Sequence, residues 1–127
     1  MSSETPTLTG VQDGFAPCFP VRDMRAALEH YERLGFEVMP YEDGAGWAWA
    51  RYGPAELHLF VKRDHSPAMT AAAADLSVAD VDALEREWSA TGVSGTSDPY
   101  DTAYGREFVH VDPDNNLIRC VAPRPGS

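Results

Sequence analysis

Two segments of this chain share one layout, and this internal repeat constrains the fold more than any other feature. The first runs from Asp23 to Gly35 and the second from Asp80 to Gly92, so the interval from Asp to Gly is equal in both. Each Asp is a suitable helix N-cap, because its carboxylate accepts hydrogen bonds from free amides of the first turn. Each Gly suits the left-handed conformation that ends a helix. The repeat therefore predicts two equivalent helices.

An apolar stripe supports each predicted helix. Apolar side chains at helical spacing indicate a face that packs against a core. Such a stripe comprises Met24, Ala27, Leu28, Tyr31 and Leu34 in the first segment, and Val81, Leu84 and Trp88 in the second. We therefore expect one buried face on each helix, with Trp88 in the core.

The residues around the helices predict strands and hairpins. Before each helix lies a short apolar segment, 15–21 or 72–78, and after each comes a pair of alternating segments joined by turn residues. The predicted hairpins are 47–52 with 56–61 around Gly53-Pro54, and 106–111 with 117–121 around 112–116. Between helix and hairpin, 36–42 is predicted as an edge strand and 93–104 mostly as loop.

Each half is thus predicted to be β-α-β-β-β, which places the chain in the α+β class. Two βαβββ repeats are expected to form a cupped mixed sheet with helices outside and a cavity inside. The predicted organisation is a flexible tail, 1–13, and one domain, 14–123, with halves 14–65 and 71–123. One half alone would leave one face of its sheet open. The alternative is a ferredoxin-like sandwich, which usually lacks two such long hairpins.

Charge and composition restrict the partners. The chain has 20 Asp and Glu against 10 Lys and Arg, a formal net charge of −10. An acidic field repels nucleic-acid phosphates and anionic lipid and attracts cationic ligands, although acidity also serves solubility. We therefore expect no nucleic-acid partner and no membrane partner.

The start of the chain and its cysteines indicate a compartment. Residues 1–10 carry neither a basic patch nor an apolar run, unlike a signal peptide. Cys18 and Cys120 lie far apart without CxxC spacing, so they are expected to be reduced thiols on strands. These features favour a cytoplasmic protein.

Several blocks of the sequence carry a family resemblance. They are Ala27–Phe36, Gly46-Trp47 leading to Glu56–Leu59, Ala83–Trp88, and Gly105–Phe108 followed by Asp112-Pro113. Over residues 15–123 the chain resembles the bleomycin resistance proteins, a branch of the glyoxalase/bleomycin resistance/dioxygenase (vicinal oxygen chelate) superfamily. The resemblance implies the paired βαβββ fold and a homodimer whose chains exchange the N-terminal strand. The prolines of segment 15–21 are compatible with an extended edge strand.

The resemblance also bears on catalysis. Metal-dependent members of the superfamily place ligands at strand positions that correspond here to Ala16, Ala73, Arg119 and Glu56, and only Glu56 could ligate. A divalent ion needs about three or four converging donors. We therefore expect no metal, no other cofactor and no enzymatic activity, with Arg119 as a charge partner for Glu56 across the cavity.

The histidines show no recognisable catalytic set with Ser, Cys or Asp. His30 is expected to face solvent and His65 to lie in the linker between the halves. His58 shares strand parity with Glu56 and could enter the cavity, whereas His110 lies in a hairpin strand. A strand histidine is more often structural than catalytic.

The expected site binds a flat ligand between aromatic side chains. The resemblance points to Trp47 and Tyr104, and strand parity adds Trp49 on the Trp47 face, with His58 and Phe60 beside Glu56. The complete predicted ligand-binding set is Trp47, Trp49, Tyr104, Glu56, His58, Phe60, Arg119, Tyr41 and Tyr100. The remaining large aromatics Phe36, Phe108 and Trp88 are expected to fill the core.

The resemblance and the acidic charge together predict a function. The expected protein sequesters a cationic, planar antibiotic of the bleomycin type without turning it over. Two alternatives remain open at this point. One is a metal-dependent lyase, isomerase or dioxygenase of the same superfamily, and the other is a binder of a different planar natural product.

Overall fold

In the part of the chain that the structure describes, eight strands and two helices follow one another in the order that the repeat predicts. The computed structural model describes residues 14–42 and 46–123, so the predicted tail, 1–13, lies outside the described residues. The first half comprises β1 (Cys18–Val21), α1 (Met24–Leu34), β2 (Glu37–Pro40), β3 (Trp47–Tyr52) and β4 (Ala55–Val61). A 3-10 turn, Pro67–Met69, leads to β5 (Ala73–Ser77), α2 (Val81–Ala90), β6 (Tyr100–Thr102), β7 (Gly105–Val111) and β8 (Leu117–Pro123).

The two halves form separate four-stranded sheets with the same internal order. The first sheet has the order β1-β4-β3-β2 and the second β5-β8-β7-β6, and the first strand of each half is parallel to the last. The other neighbours are antiparallel. The prediction of two βαβββ repeats in the α+β class is confirmed, while the domain boundaries stay a prediction. The second strand of each half is short: β2 ends at Pro40 and β6 at Thr102.

Both helices begin as the sequence indicates. Asp23 and Asp80 accept hydrogen bonds from the amides of Ala26 and Ala83, at 3.3 and 3.0 Å. Gly35 ends α1 in the left-handed conformation, with φ 114°. In α2 the cap residue is Thr91, and Gly92 with φ 79° follows it. Among the described residues, neither helix has the length and apolar character needed to cross a membrane.

The helix-bearing faces of the two sheets meet in one hydrophobic core. Trp88 of α2 is fully buried and lies 5.9 Å from Phe36, 5.6 Å from Tyr52 and 5.6 Å from Phe108, measured between ring centroids. Phe36 and Tyr52 belong to the first half and Phe108 to the second. The expectation that Phe36, Phe108 and Trp88 fill the core is confirmed, and Trp88 joins the halves.

The turn between β7 and β8 provides a second link between the halves. Tyr31 of α1 donates a hydrogen bond to the Asp112 Oδ2 atom, at 2.7 Å. Arg22, which precedes α1, donates through Nε to Asp114 Oδ1, also at 2.7 Å. Burial and the neighbouring Asp112 raise the pKa of Tyr31 well above its usual value. This buried turn therefore fixes the position of α1 relative to the second sheet.

Candidate functional site

Among residues 14–42 and 46–123, no element covers one face of the first sheet, and this face carries most of the predicted ligand-binding residues. Alternation along β3 and β4 directs one set of side chains into the core, namely Ala48, Ala50, Leu57 and Leu59. The strand register pairs the opposite set, Trp47 with Phe60, Trp49 with His58, and Arg51 with Glu56. These six residues, Trp47, Trp49, Arg51, Glu56, His58 and Phe60, are called the aromatic face below.

Trp47 lies at the centre of the aromatic contacts on this face. Its ring is stacked with Phe60, at 5.9 Å and 22° between planes, and meets His58 edge-on at 5.7 Å. The residue nevertheless remains 39% exposed. Tyr41 is 63% exposed and donates its backbone N–H to the Trp47 carbonyl at 2.8 Å, so it borders the face. Exposed aromatic surface of this kind is typical of a binding site.

A row of polar side chains crosses the aromatic face beside these rings. Arg51 donates from Nε to Glu56 Oε1 at 2.7 Å, and His58 Nε2 lies 2.6 Å from Glu56 Oε2. The guanidinium carbon of Arg51 lies 3.7 Å from the centroid of the Trp49 ring. The hydrogen bonds from Arg51 and His58 hold the pKa of Glu56 below its usual value. Glu56 is therefore an ionised carboxylate with a hydrogen bond at each oxygen.

Arg51 is a residue that the sequence interpretation missed. The signal was available, because Arg51 follows Trp47 and Trp49 at the two-residue spacing of one strand face. Its register partner on β4 is Glu56. The prediction that Arg119 pairs with Glu56 is wrong within this chain, because Arg51 is the cation that pairs with Glu56.

Arg119 instead pairs within the second sheet. It donates from Nε and Nη2 to the two carboxylate oxygens of Asp75, at 2.8 and 2.9 Å. Asp75 is its register neighbour, because β5 and β8 are parallel and adjacent. The hydrogen bond from Arg119 holds the pKa of Asp75 below its usual value.

The two remaining predicted aromatics also belong to the second sheet. Tyr100 on β6 donates its hydroxyl hydrogen to Glu107 Oε2 at 2.7 Å, and this bond raises the pKa of Tyr100. Tyr104 is 79% exposed in the turn between β6 and β7. Within one chain, therefore, Tyr100, Tyr104 and Arg119 lie on a different sheet from the aromatic face.

Two histidines meet in the interior between the halves. The expectation that His30 faces solvent is wrong, because its Nε2 lies 2.8 Å from Nε2 of the fully buried His110. His110 Nδ1 lies 2.8 Å from the hydroxyl oxygen of Thr96. Burial, together with the proximity of His30, lowers the pKa of His110 to about 4, and burial also lowers the pKa of His30. In the linker, His65 donates from Nε2 to the Asp114 carbonyl at 2.9 Å.

Both cysteines are free thiols on strands, as expected. Cys18 is exposed on β1, whereas Cys120 is buried on β8. Burial raises the pKa of Cys120 to about 12, so this thiol stays protonated at neutral pH. In residues 14–42 and 46–123, no three His, Cys, Asp or Glu side chains are grouped so that they could hold a metal ion.

A cavity of about 710 Å³ opens next to the polar row. Its lining includes Arg51, Glu56 and His58 of the aromatic face. Phe36 of the first half and Leu76 and Ile118 of the second half also line it. This volume is in the range of small-molecule sites. Trp47, Trp49 and Phe60 lie outside the lining, so the cavity adjoins the aromatic rings through the polar row of Arg51, Glu56 and His58.

The family of this chain follows from its similarity to known proteins. Residues 14–120 match the Glyoxalase/Bleomycin resistance protein/Dioxygenase superfamily. The chain belongs to this superfamily. It is 28% identical over 117 residues to a bleomycin resistance protein of Klebsiella pneumoniae. This alignment covers 86% of this chain and 91% of the relative. It is 36% identical over 97 residues to an uncharacterized protein of Mycolicibacterium smegmatis, with 76% of this chain and 82% of the relative covered.

A solved structure extends the likeness to three dimensions. The crystal structure of a bleomycin-binding protein complexed with bleomycin superposes with a TM-score of 0.78 and 26% identity. The match covers 89% of this chain and 100% of the bleomycin-binding protein chain. The superfamily fold therefore accounts for both sheets and both helices of this protein.

Proposed function

We propose that this protein binds a planar, cationic antibiotic of the bleomycin type and sequesters it without chemical turnover. The observation that carries the proposal is Trp47, a partly exposed indole stacked on Phe60 in an open sheet face. Relatives named for bleomycin resistance and for bleomycin binding support the ligand class. Binding would keep the drug from DNA, and the protein would act in the cytoplasm with no nucleic-acid or membrane partner.

The aromatic face is expected to supply enough binding energy for such a ligand. Stacking a planar group on an aromatic side chain contributes roughly 1–3 kcal/mol per ring. Two stacks and a few ionic contacts would approach about −8 kcal/mol, which corresponds to micromolar affinity. The net charge of −10 adds a long-range attraction for a cationic ligand.

The donor chemistry favours binding over metal-assisted catalysis. Of the four positions that the family resemblance assigns to metal ligands, only Glu56 carries a ligating side chain. Arg51 and His58 engage both of its oxygens. Arg119, at another of these positions, presents a cation that would repel a divalent ion. The alternative function, a metal-dependent lyase, isomerase or dioxygenase, therefore needs ligands that this constellation does not offer.

We also propose that the binding unit is a homodimer. The second sheet has an exposed face of its own, and within one chain this face is separate from the aromatic face of the first sheet. It is formed by Val109, Leu117, Arg119 and Val121. A second copy placing this face opposite the aromatic face would bring Arg119 and Tyr100 of one chain towards Trp47 of the other. In the single chain β1 pairs with its own β4, so exchange of this strand between subunits stays part of the proposal.

A direct titration tests the function. Purified protein, assayed first for metal content, is titrated with metal-free and copper-loaded bleomycin while tryptophan fluorescence and heat are recorded. We expect saturable quenching with about one ligand per chain at micromolar affinity or better. Absence of binding to both forms contradicts the proposal. Stoichiometric metal in the isolated protein would favour the enzymatic alternative.

A further inference from the structure

Arg51 is a cation held between a π face and a carboxylate on the aromatic face. Its guanidinium carbon lies 3.7 Å from the Trp49 ring centroid, within the limit of about 6 Å for a cation–π contact. Its Nε donates to Glu56 Oε1 at 2.7 Å. The protein's own side chain thus shows which chemical group fits between Trp49 and Glu56: a planar, charged nitrogen group.

The contacts that hold Arg51 are weak enough to be exchanged. The side chains of Arg51 and Glu56 are 45% and 32% exposed. At such exposure, a cation–π contact and an ion pair each change an equilibrium by only about two- to fivefold. A competing cation that makes the same two contacts can therefore displace Arg51, whose long stem allows it to turn into solvent.

We propose that Arg51 is a built-in competitor in a cation subsite, and that a ligand's guanidinium or amidinium group replaces it on Trp49 and Glu56. This inference rests on the proposed function, because it assigns one part of the same face to the cationic part of the ligand. His58 remains on Glu56 Oε2, so only Oε1 changes partner. The carboxylate stays oriented while the cation is exchanged.

The exchange makes the subsite selective. A neutral ring that displaces Arg51 gains little binding energy, since Glu56 then lacks a cationic partner on Oε1. A planar cation restores both contacts, whereas an ammonium group stacks less well and lacks the planar geometry of guanidinium. Arg51 therefore determines specificity by setting a threshold that only a matching cation overcomes.

Benzamidinium is the probe, because it is a small, planar amidinium cation. Arg51→Met removes the guanidinium and keeps an apolar stem, so we expect the affinity for benzamidinium to rise about fivefold. Arg51→Lys should give a rise of about twofold. Glu56→Gln combined with Arg51→Met should lose the gain, because the carboxylate is then absent.

Arg25→Met is the matched control. Arg25 is exposed on α1, away from the aromatic face, and the substitution changes the net charge equally. We expect its affinity for benzamidinium to stay within about 1.5-fold of the wild-type value. A fivefold gain in both Met variants would trace the effect to net charge and overturn the inference.

A spectroscopic measurement reports the displacement itself. In the free protein, the NMR chemical shift of the Arg51 Nε–H should differ from that of free arginine, because Glu56 accepts its hydrogen bond and the Trp49 ring shields it. On saturation with benzamidinium, the chemical shift should move to the value of free arginine. An unmoved resonance, an unchanged affinity in Arg51→Met, or no binding of benzamidinium by either protein overturns the inference.

The outcome is separable from that of the proposed function. If wild-type protein fails to bind bleomycin but Arg51→Met gains affinity for benzamidinium, the subsite stands and the proposed function falls. If wild-type protein binds bleomycin while Arg51→Met leaves the affinity for both ligands unchanged, the function stands and the competitor role falls.

Discussion

His30 of α1 and His110 of β7 share a hydrogen bond between their Nε2 atoms, which lie 2.8 Å apart although the residues are 80 positions apart in sequence. One nitrogen must donate and the other accept, so the bond is lost when both rings carry a proton on Nε2. Asp112 and Asp114 favour protonation of His30 and Arg33 opposes it, but burial has the largest effect and lowers its pKa. The pair therefore favours the neutral state.

We expect the protein to lose stability as the pH falls from about 6.5 towards 4. The pKa of His110 is 6.5 when unperturbed and about 4 in the folded protein, so the unfolded chain binds the proton first. A depression of this size corresponds to roughly 3 kcal/mol, present in full above pH 6.5 and lost by about pH 4. Urea denaturation across this pH range measures the change.

Two variants isolate the contribution of the imidazoles. His110→Gln removes one titrating group, so its free energy of unfolding should fall less steeply between pH 6.5 and 4. Thr96→Val removes the hydroxyl that contacts His110 but keeps both rings, and should retain the wild-type pH dependence. Equal slopes in wild type and His110→Gln would refute this account.

Truncation of Trp88 should destabilise both halves together. Trp88→Ala removes the ring that contacts Phe36 and Phe108, with an expected loss of about 3–5 kcal/mol in the free energy of unfolding. Trp88→Phe should cost less than half as much, because the buried indole Nε1 has no hydrogen-bond partner among the described residues. Denaturant unfolding followed by far-ultraviolet circular dichroism tests both variants. A loss below about 1 kcal/mol in Trp88→Ala would contradict the joining role of this residue.

Substitution of Trp47 should weaken ligand binding without affecting the fold. Trp47→Ala removes the exposed indole stacked on Phe60, and we expect at least about a tenfold loss in affinity for bleomycin. Trp47→Phe keeps one aromatic surface and should lose less. Calorimetric titration gives the affinities and thermal unfolding checks the fold. An unchanged affinity in Trp47→Ala would remove this residue from the site.

The attraction of the acidic protein for a cationic ligand should depend on salt. The net charge is −10, and the screening length falls from about 10 Å at 0.1 M salt to about 3 Å at 1 M. We expect the affinity for bleomycin to decrease severalfold over this range, by titration at several salt concentrations. Sucrose at matched osmolality controls for general solvent effects. A flat salt response would exclude a long-range electrostatic contribution.

We expect the protein to be a dimer at micromolar concentration. Its molar mass, measured by sedimentation or light scattering, tests this. Val109→Asp adds a charge to the open face of the second sheet and should shift the equilibrium to monomer. Arg25→Asp, on the exposed surface of α1, adds an acidic group elsewhere and should not. A monomeric wild-type protein at this concentration would rule out the proposed dimer.

Local chemistry explains how much was predictable from the sequence. The caps Asp23 and Asp80 and the stop at Gly35 act through bonds within one turn, so their residue types locate the helices. Alternation in strands likewise placed Trp47, Trp49, Glu56, His58 and Phe60 on one face, and the burial of Trp88 followed from helical spacing. Whether these residues bind a ligand stays a prediction.

The amino-acid order alone predicts the repeat, the order of the elements and the face to which each strand residue belongs. The side-chain partners depend on the folded arrangement: Asp75 for Arg119, Glu56 for Arg51, and His110 for His30. Periodicity depends only on neighbours along the chain, so it can be recognised in the sequence. An ion pair or a buried hydrogen bond depends instead on strand register and on which faces meet across the core, and both are fixed only when the two halves pack together.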